Sequence, residues 1–269
     1  MRIFITFLSI FSLAILLGSC NPYQKALKSE DVKLKYDLAE QYYEAKDYRR
    51  AKNLFEQLQP KYRGKPQAER ITFFYAHCLF HTKSYITAAY QFESFTKAYP
   101  KSQKLEEAYY MMALSYSKVS PVFSLDQKDT YEALNKLQEY INRYPDSERL
   151  AEANTLVREL REKTERKAFE VAQQYFKIRD YKAAIKAIDN FIGDHPGTPF
   201  REEAMVVQFK SASILALNSV FSKKEQRLKT AQSYYQDLLR AYPESLFWRN
   251  APSCMMKSAK KLLHLQPIN

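Results

Sequence analysis

Glycine is scarce in this chain: only four of its 269 residues are Gly. That argues against a turn-rich β fold and leaves no Gly-rich loop to cradle a phosphate. Cysteine is sparser still. The three present, Cys20, Cys78 and Cys254, are too few for a disulfide framework in a chain of this length. Cys78 and Cys254 sit in helical, apolar-rich sequence and read as buried free thiols, with a single bridge between them left open. No run of five or more like charges occurs, so the net charge of +12 reads mainly as solvated helix faces. Catalytic motifs are missing too. The chain has no H-E-x-x-H, no C-x-x-C pair, no G-x-S-x-G and no histidine placed beside a nucleophile and an acid. No enzyme is expected, and neither a cofactor nor a catalytic residue.

Long apolar runs are also absent, with one exception at the start. Ile3 to Leu17 is uncharged and mostly apolar, broken only by Thr6, Ser9 and Ser12, preceded by Arg2 and followed by Gly18, Ser19 and Cys20. A charged tip, an apolar core and small residues describe a secretory signal, about five residues short of the ~20 that a membrane span needs. Leu17-Gly18-Ser19-Cys20 resembles a bacterial lipobox, in which the cysteine thiol is acylated and the peptide is cut before it. Cys20 is therefore the expected lipid attachment site and membrane anchor. Two or three acyl chains at about 0.8 kcal/mol per buried methylene anchor a protein stably. Residues 1–19 then form the signal and residues 20–30 a polar, lipidated tether. An exported basic chain meets anionic lipid heads and acidic protein faces, so no nucleic acid is expected as a partner.

What the sequence does contain is alanine, aromatics and a recurring proline. Counted from Ala88, an apolar residue falls four and seven positions on (Phe92, Phe95), and Pro100 falls twelve on. The same offsets from Ala133 reach Leu137, Tyr140 and Pro145; from Ala184, Ile188, Phe191 and Pro196; from Ala231, Tyr235, Leu238 and Pro243. A weaker first copy runs Ala51, Phe55, Leu58, with Arg63 in place of proline. Steps of four and three mark one stripe of an α-helix, and proline stops it. Earlier alanines (Ala39, Ala76, Ala113, Ala172, Ala212) mark a partner helix before each stripe. Small residues let the two helices approach closely while aromatics fill the gaps.

This two-helix unit of about 34 residues matches the tetratricopeptide repeat, which buries its stripe only by stacking on neighbours. The predicted fold is all-α: an α-solenoid of about five helix pairs with a C-terminal capping helix. Repeats 1–3 are expected over 31–147, and repeats 4–5 with the cap over 148–269. The first helix begins near Asp31. Inserted loops are expected near 120–128 and 220–227, and an added helix at 150–165. Three repeats end in Y-P-x-S (Ser102, Ser147, Ser245) and one in H-P-G-T (Thr198), where the hydroxyl is placed to cap the next helix.

His77, Cys78 and His81 form the only metal-like cluster, and without further ligands no metal site is expected. In repeats of this type the first helix lines the concave face. Its position three before the alanine reads Tyr36, Phe73, Tyr110, Phe169 and Phe209, an aromatic in every repeat. These rings can pack adjacent helices or offer anchors to a peptide. A peptide groove would be strongest where Tyr36, Tyr43, Phe73, His77 and Phe80 cluster, with Tyr110 next along.

The lipobox, the five repeats, the Y-P-x-S turns and the capping helix together resemble the BamD-like lipoproteins of the outer-membrane β-barrel assembly machinery, the competence lipoprotein family. The telling segments are Ala108–Ser147 and Leu160–Thr198. The resemblance implies a scaffold anchored in the outer membrane and facing the periplasm. Its C-terminal repeats would dock the periplasmic domains of the barrel-assembly protein, and its N-terminal groove would take unfolded barrel clients with aromatic-ended signals. Relatives carry docking arginines on the second helix of repeat four; here that stretch reads Lys182, Lys186 and Ala187. The alternative is a lipoprotein adaptor for cell-wall, division or nutrient-uptake complexes.

Overall fold

The computed structural model describes residues 22–244, and all regular structure among them is helical. The eleven helices are α1 (Pro22–Lys28), α2 (Val32–Glu44), α3 (Tyr48–Tyr62), α4 (Ala68–His81), α5 (Tyr85–Ala98), α6 (Leu105–Val119), α7 (Lys128–Arg143), α8 (Leu150–Lys177), α9 (Tyr181–Asp194), α10 (Arg201–Leu217) and α11 (Phe221–Ala241). The pairs α2/α3, α4/α5, α6/α7, α8/α9 and α10/α11 are the five expected repeats. The cap expected beyond them and Cys20 both lie outside the described residues.

Burial explains why these residues pair. Every one of the ten repeat alanines is at most 4% exposed, and Phe55, Leu58, Phe92, Phe95, Leu137, Tyr140, Ile188 and Leu238 are fully buried. An alanine at the crossing lets backbones close in, while each large side chain removed from water contributes about 1.5–3 kcal/mol.

The helix ends follow from local chemistry. Helices α5, α7, α9 and α11 each stop two residues before their proline. Proline 60, by contrast, sits inside α3, which runs on to Tyr62. Three of the turns within pairs share one shape. Lys46, Lys83 and Arg179 have φ of 58°, 63° and 65°. Around each, two amide bonds close back on the helix, as in Asp47 N to Tyr42 O at 2.8 Å and Lys46 N to Tyr43 O at 2.9 Å. That is the Schellman geometry glycine usually supplies, here built from a cation. Asp31, Asp47 and Asp180 then cap the next helix through their carboxylates.

The chain divides into two compact units. One takes in the residues up to Ser120 together with Lys128–Val157; the other takes in Pro121–Gln127 and the chain from Arg158. The division falls inside α8. In the N-terminal unit each helix of α2–α7 packs on the next. In the C-terminal unit Phe169 and Ala172 of α8 meet Ile188 and Phe191 of α9 and Ala204 and Val207 of α10. Phe209 and Ala212 on α10 meet Ala231 of α11, while Met205 and Val206 meet Leu238. Helix α10 is covered on more than one side, so that even its polar Gln208, Ser211 and Ser213 are buried.

Three expectations are corrected. The stretch 20–30 is no plain tether. Pro22–Lys28 is helical and docks on α2 and α3, where Tyr23 is buried, accepts from Asn53 Nδ2 at 2.8 Å and meets the Tyr42 ring edge-on at 5.7 Å. The added helix 150–165 does not end there. It runs through to Lys177 as one 28-residue helix, since no glycine or proline interrupts it. The loop expected at 220–227 is the first part of α11, whose run of helix-forming Lys, Glu, Gln and Arg carries the helix back to Phe221. The insert at 120–127 is a loop as expected, held by Gln127 Nε2 donating to the carbonyls of Val122 and Leu125, each at 2.9 Å.

Candidate functional site

The aromatic positions of the first helices fall into different environments. Tyr36 is half-buried and donates to Glu40 Oε1 at 2.6 Å; burial, aided by that carboxylate, pushes its hydroxyl up to about 12. Tyr43 lies stacked on Phe74 with ring centres 4.1 Å apart, and burial raises its pKa. Phe73 is only 3% exposed, with Phe95 at 5.3 Å and Phe92 at 6.0 Å, so it belongs to the α4/α5 core. His77 is buried between Phe73 at 4.7 Å and the edge of Tyr43 at 6.3 Å. Phe80 is half-buried, edge-on to Tyr85 and His81. Tyr110 is buried in the α6/α7 pair, 5.5 Å from Tyr140, with its pKa raised first by burial and then by Glu152. Thus Tyr43, Phe73, His77 and Phe80 gather around α4. Tyr36 joins them through Glu40, which receives Arg70 Nε at 2.8 Å, while Tyr110 stands apart.

One open cavity in the N-terminal unit, of about 350 Å³, lies at the start of α4. Pro66, Phe73, Phe74 and Phe95 supply its apolar walls, and Glu69, Arg70 and Lys104 its charged ones. The cations sit against the rings: Arg70 Cζ is 5.1 Å from the Phe74 centre and Lys104 Nζ is 5.6 Å from that of Phe73. Such contacts hold a cation over an aromatic face without neutralising it.

The Y-P-x-S turn shapes this wall. Ser102 Oγ accepts from Lys104 N at 2.9 Å and donates to Glu69 Oε1 at 2.6 Å. The first bond closes the turn ahead of α6 instead of capping the helix as expected, because the N-cap position is Lys104, which no side chain caps. One hydroxyl therefore closes the turn before α6, places Lys104 at the rim and occupies the Glu69 carboxylate. Ser147 repeats the device with Arg149 N at 3.1 Å and Glu106 Oε1 at 2.6 Å. Thr198 keeps only the turn-closing half, accepting from Phe200 N at 3.3 Å.

Next to the cavity, Glu107 lies between Lys104 and His77. Lys104 Nζ is 3.1 Å from it, and His77 Nε2 lies 3.4 Å away, longer than a well-formed hydrogen bond. His77, followed by Lys104, holds the Glu107 carboxyl down at about 2 against the opposing effect of burial. The three residues of the metal-like cluster diverge. His77 faces Glu107, Cys78 is fully buried with its thiol pushed up to about 12 by burial, and His81 stacks on Tyr48 at 4.0 Å. Among the described residues no group of three or more His, Cys, Asp or Glu is placed to hold a metal ion.

The family follows from the whole length of the chain rather than from this cavity. The model of the YfiO family, described as an outer membrane lipoprotein, matches residues 28–228 and 164–266. The chain belongs to the YfiO family of outer membrane lipoproteins. The helix-pair scaffold of that family is not a known enzyme class. No curated protein matches the chain. Among solved structures it is similar to the human IFIT1 dimer with PPP-AAAA, at 15% identity and a TM-score of 0.27, over 87% of this chain and 60% of that one. So loose a likeness bears on nothing beyond itself.

The cavity's polar half was missed by sequence reasoning. Arg70 lies one helical turn before Phe73, so extending the aromatic stripe toward the helix start would have found it. Lys104 belongs to no periodic pattern, because a turn places it.

Proposed function

We propose that this YfiO-family lipoprotein is a periplasm-facing scaffold of outer-membrane β-barrel assembly, hung from lipid at Cys20. Its N-terminal unit takes the aromatic-ended C-terminal signal of unfolded barrel clients, and its C-terminal repeats dock the periplasmic domains of the barrel-assembly protein. The observation that carries the client half is the cavity of Phe73, Phe74 and Phe95 rimmed by Arg70 and Lys104. A terminal aromatic residue brings a ring and a carboxylate on one Cα. The ring fits an aromatic-walled slot, and the carboxylate suits a guanidinium and an ammonium at its edge. Arg70 engages Glu40 through Nε, which leaves its two terminal nitrogens for a ligand.

The test is peptide binding to the purified lipoprotein in detergent. A peptide ending in phenylalanine with a free carboxylate is expected to bind at least ten-fold more tightly than its C-terminal amide, and Arg70→Glu is expected to erase that difference. Equal affinity for acid and amide would remove the basis of the client reading.

A further inference from the structure

The turn between α10 and α11 is the most outward-facing apolar feature of the described residues. Phe221 is 96% exposed, Val220 66% and Leu217 49%. The three lie within five residues, with Lys223, Lys224 and Arg227 following on α11. The turn is pinned in place: Arg227 Nη1 donates to Ser219 Oγ, which itself donates to the Leu215 carbonyl. The Asn218 amide closes back on Ile214 O at 3.1 Å. Little ordering cost therefore stands against using the tip.

We propose that this tip is a second membrane contact, in which Phe221, Val220 and Leu217 enter the interfacial layer of an anionic phospholipid bilayer while Lys223 and Lys224 reach its phosphates. Three observations select a lipid surface over a protein. The apolar trio sits at a tight turn, whereas protein anchors rely on a matching pocket; a soft, deformable phase needs none. The adjoining charge is mostly positive. The one acid among those helix positions, Glu225, is paired with Lys229 at 2.9 Å, which leaves Lys223 and Lys224 to complement anionic headgroups. Finally, a member of an outer membrane lipoprotein family works beside a bilayer. The inference uses that family assignment and not the client-binding reading, so the two fail separately.

The test uses the full lipidated protein reconstituted into vesicles of phosphatidylethanolamine with phosphatidylglycerol. A photoreactive benzoylphenylalanine replaces Phe221 or, as a control, Tyr131, which is exposed on α7. After irradiation, lipid adducts are counted by mass spectrometry, with unchanged helical circular dichroism confirming the fold. Position 221 should give at least ten times the lipid adducts of position 131. Lys223→Glu with Lys224→Glu, or vesicles lacking phosphatidylglycerol, should cut that yield at least three-fold. Equal yields at 221 and 131 would overturn the proposal, because they would mean nothing more than tethering near a bilayer. It would be overturned equally if position 221 in native envelopes crosslinked to protein and not to lipid.

Discussion

Replacing Ser147 by alanine should destabilise the N-terminal unit more than replacing Ser102, although both serines fill the same place in Y-P-x-S. Each hydroxyl accepts from the amide two residues on, closing the turn before the next helix, and donates to a glutamate of the first helix of its own pair. Losing a hydrogen bond of this kind costs about 1 kcal/mol. Glu69 and Glu106 reach solvent in part, so water replaces much of the bond each would lose. Ser147 differs in a third contact: the hydroxyl of Tyr140, a fully buried residue, lies 2.6 Å from its Oγ. The equivalent side chain beside Ser102 is Phe95, which has no hydroxyl to strand. Without Ser147, Tyr140 keeps only a 3.3 Å contact with Glu106. A poorly satisfied buried hydroxyl costs about 1–3 kcal/mol. Ser147→Ala should therefore cost about 2–3 kcal/mol and Ser102→Ala about 1, read from urea midpoints followed by circular dichroism. Adding Tyr140→Phe to Ser147→Ala should recover about 1 kcal/mol by removing the stranded group. Equal losses at the two serines, or a further loss on adding Tyr140→Phe, would refute the reasoning.

Other consequences are as direct. Glu107 takes up a proton near pH 4.5 when unfolded but only near 2 when folded, so the unfolded chain binds more protons between those values. Its contribution, at most about 3 kcal/mol, is complete above pH 4.5 and is lost as pH falls toward 2; in Glu107→Gln the stability–pH profile should flatten across that window. With its thiol pushed up to about 12 and fully buried, Cys78 in a Cys254→Ser chain should resist maleimide until urea unfolds α4. Phe73→Ala should cost about 3–5 kcal/mol, since the ring is core as well as cavity wall, while Phe74→Ala, at a half-buried position, should weaken peptide binding at smaller cost to stability.

Much of the fold is legible because its determinants are local and periodic. An alanine at each crossing, apolar residues four and seven on, and a proline at twelve fix where helices pair and stop. What escapes has tertiary causes. Helix α1 gains its place from Tyr23 and Ala26 settling on α2 and α3, which no local pattern announces. The continuity of α8 and the early start of α11 follow from what is absent, namely any glycine or proline breaker, so repeat spacing alone assigns those residues wrongly. At the site the same division holds. The aromatic register leads to α4, but Phe73 and Tyr110 lie deeper than a groove reading implies. Lys104 reaches the rim only because Ser102 turns the chain there.

The account rests most heavily on client capture by the α4 cavity, and photocrosslinking in living cells tests that directly. With benzoylphenylalanine in place of Pro66, an exposed residue of the cavity wall, unfolded outer-membrane barrel precursors should be trapped, and the adducts should disappear when the precursors lack their terminal aromatic residue. Adducts that persist without that residue, or none at all from a folded and correctly localised protein, would contradict the account.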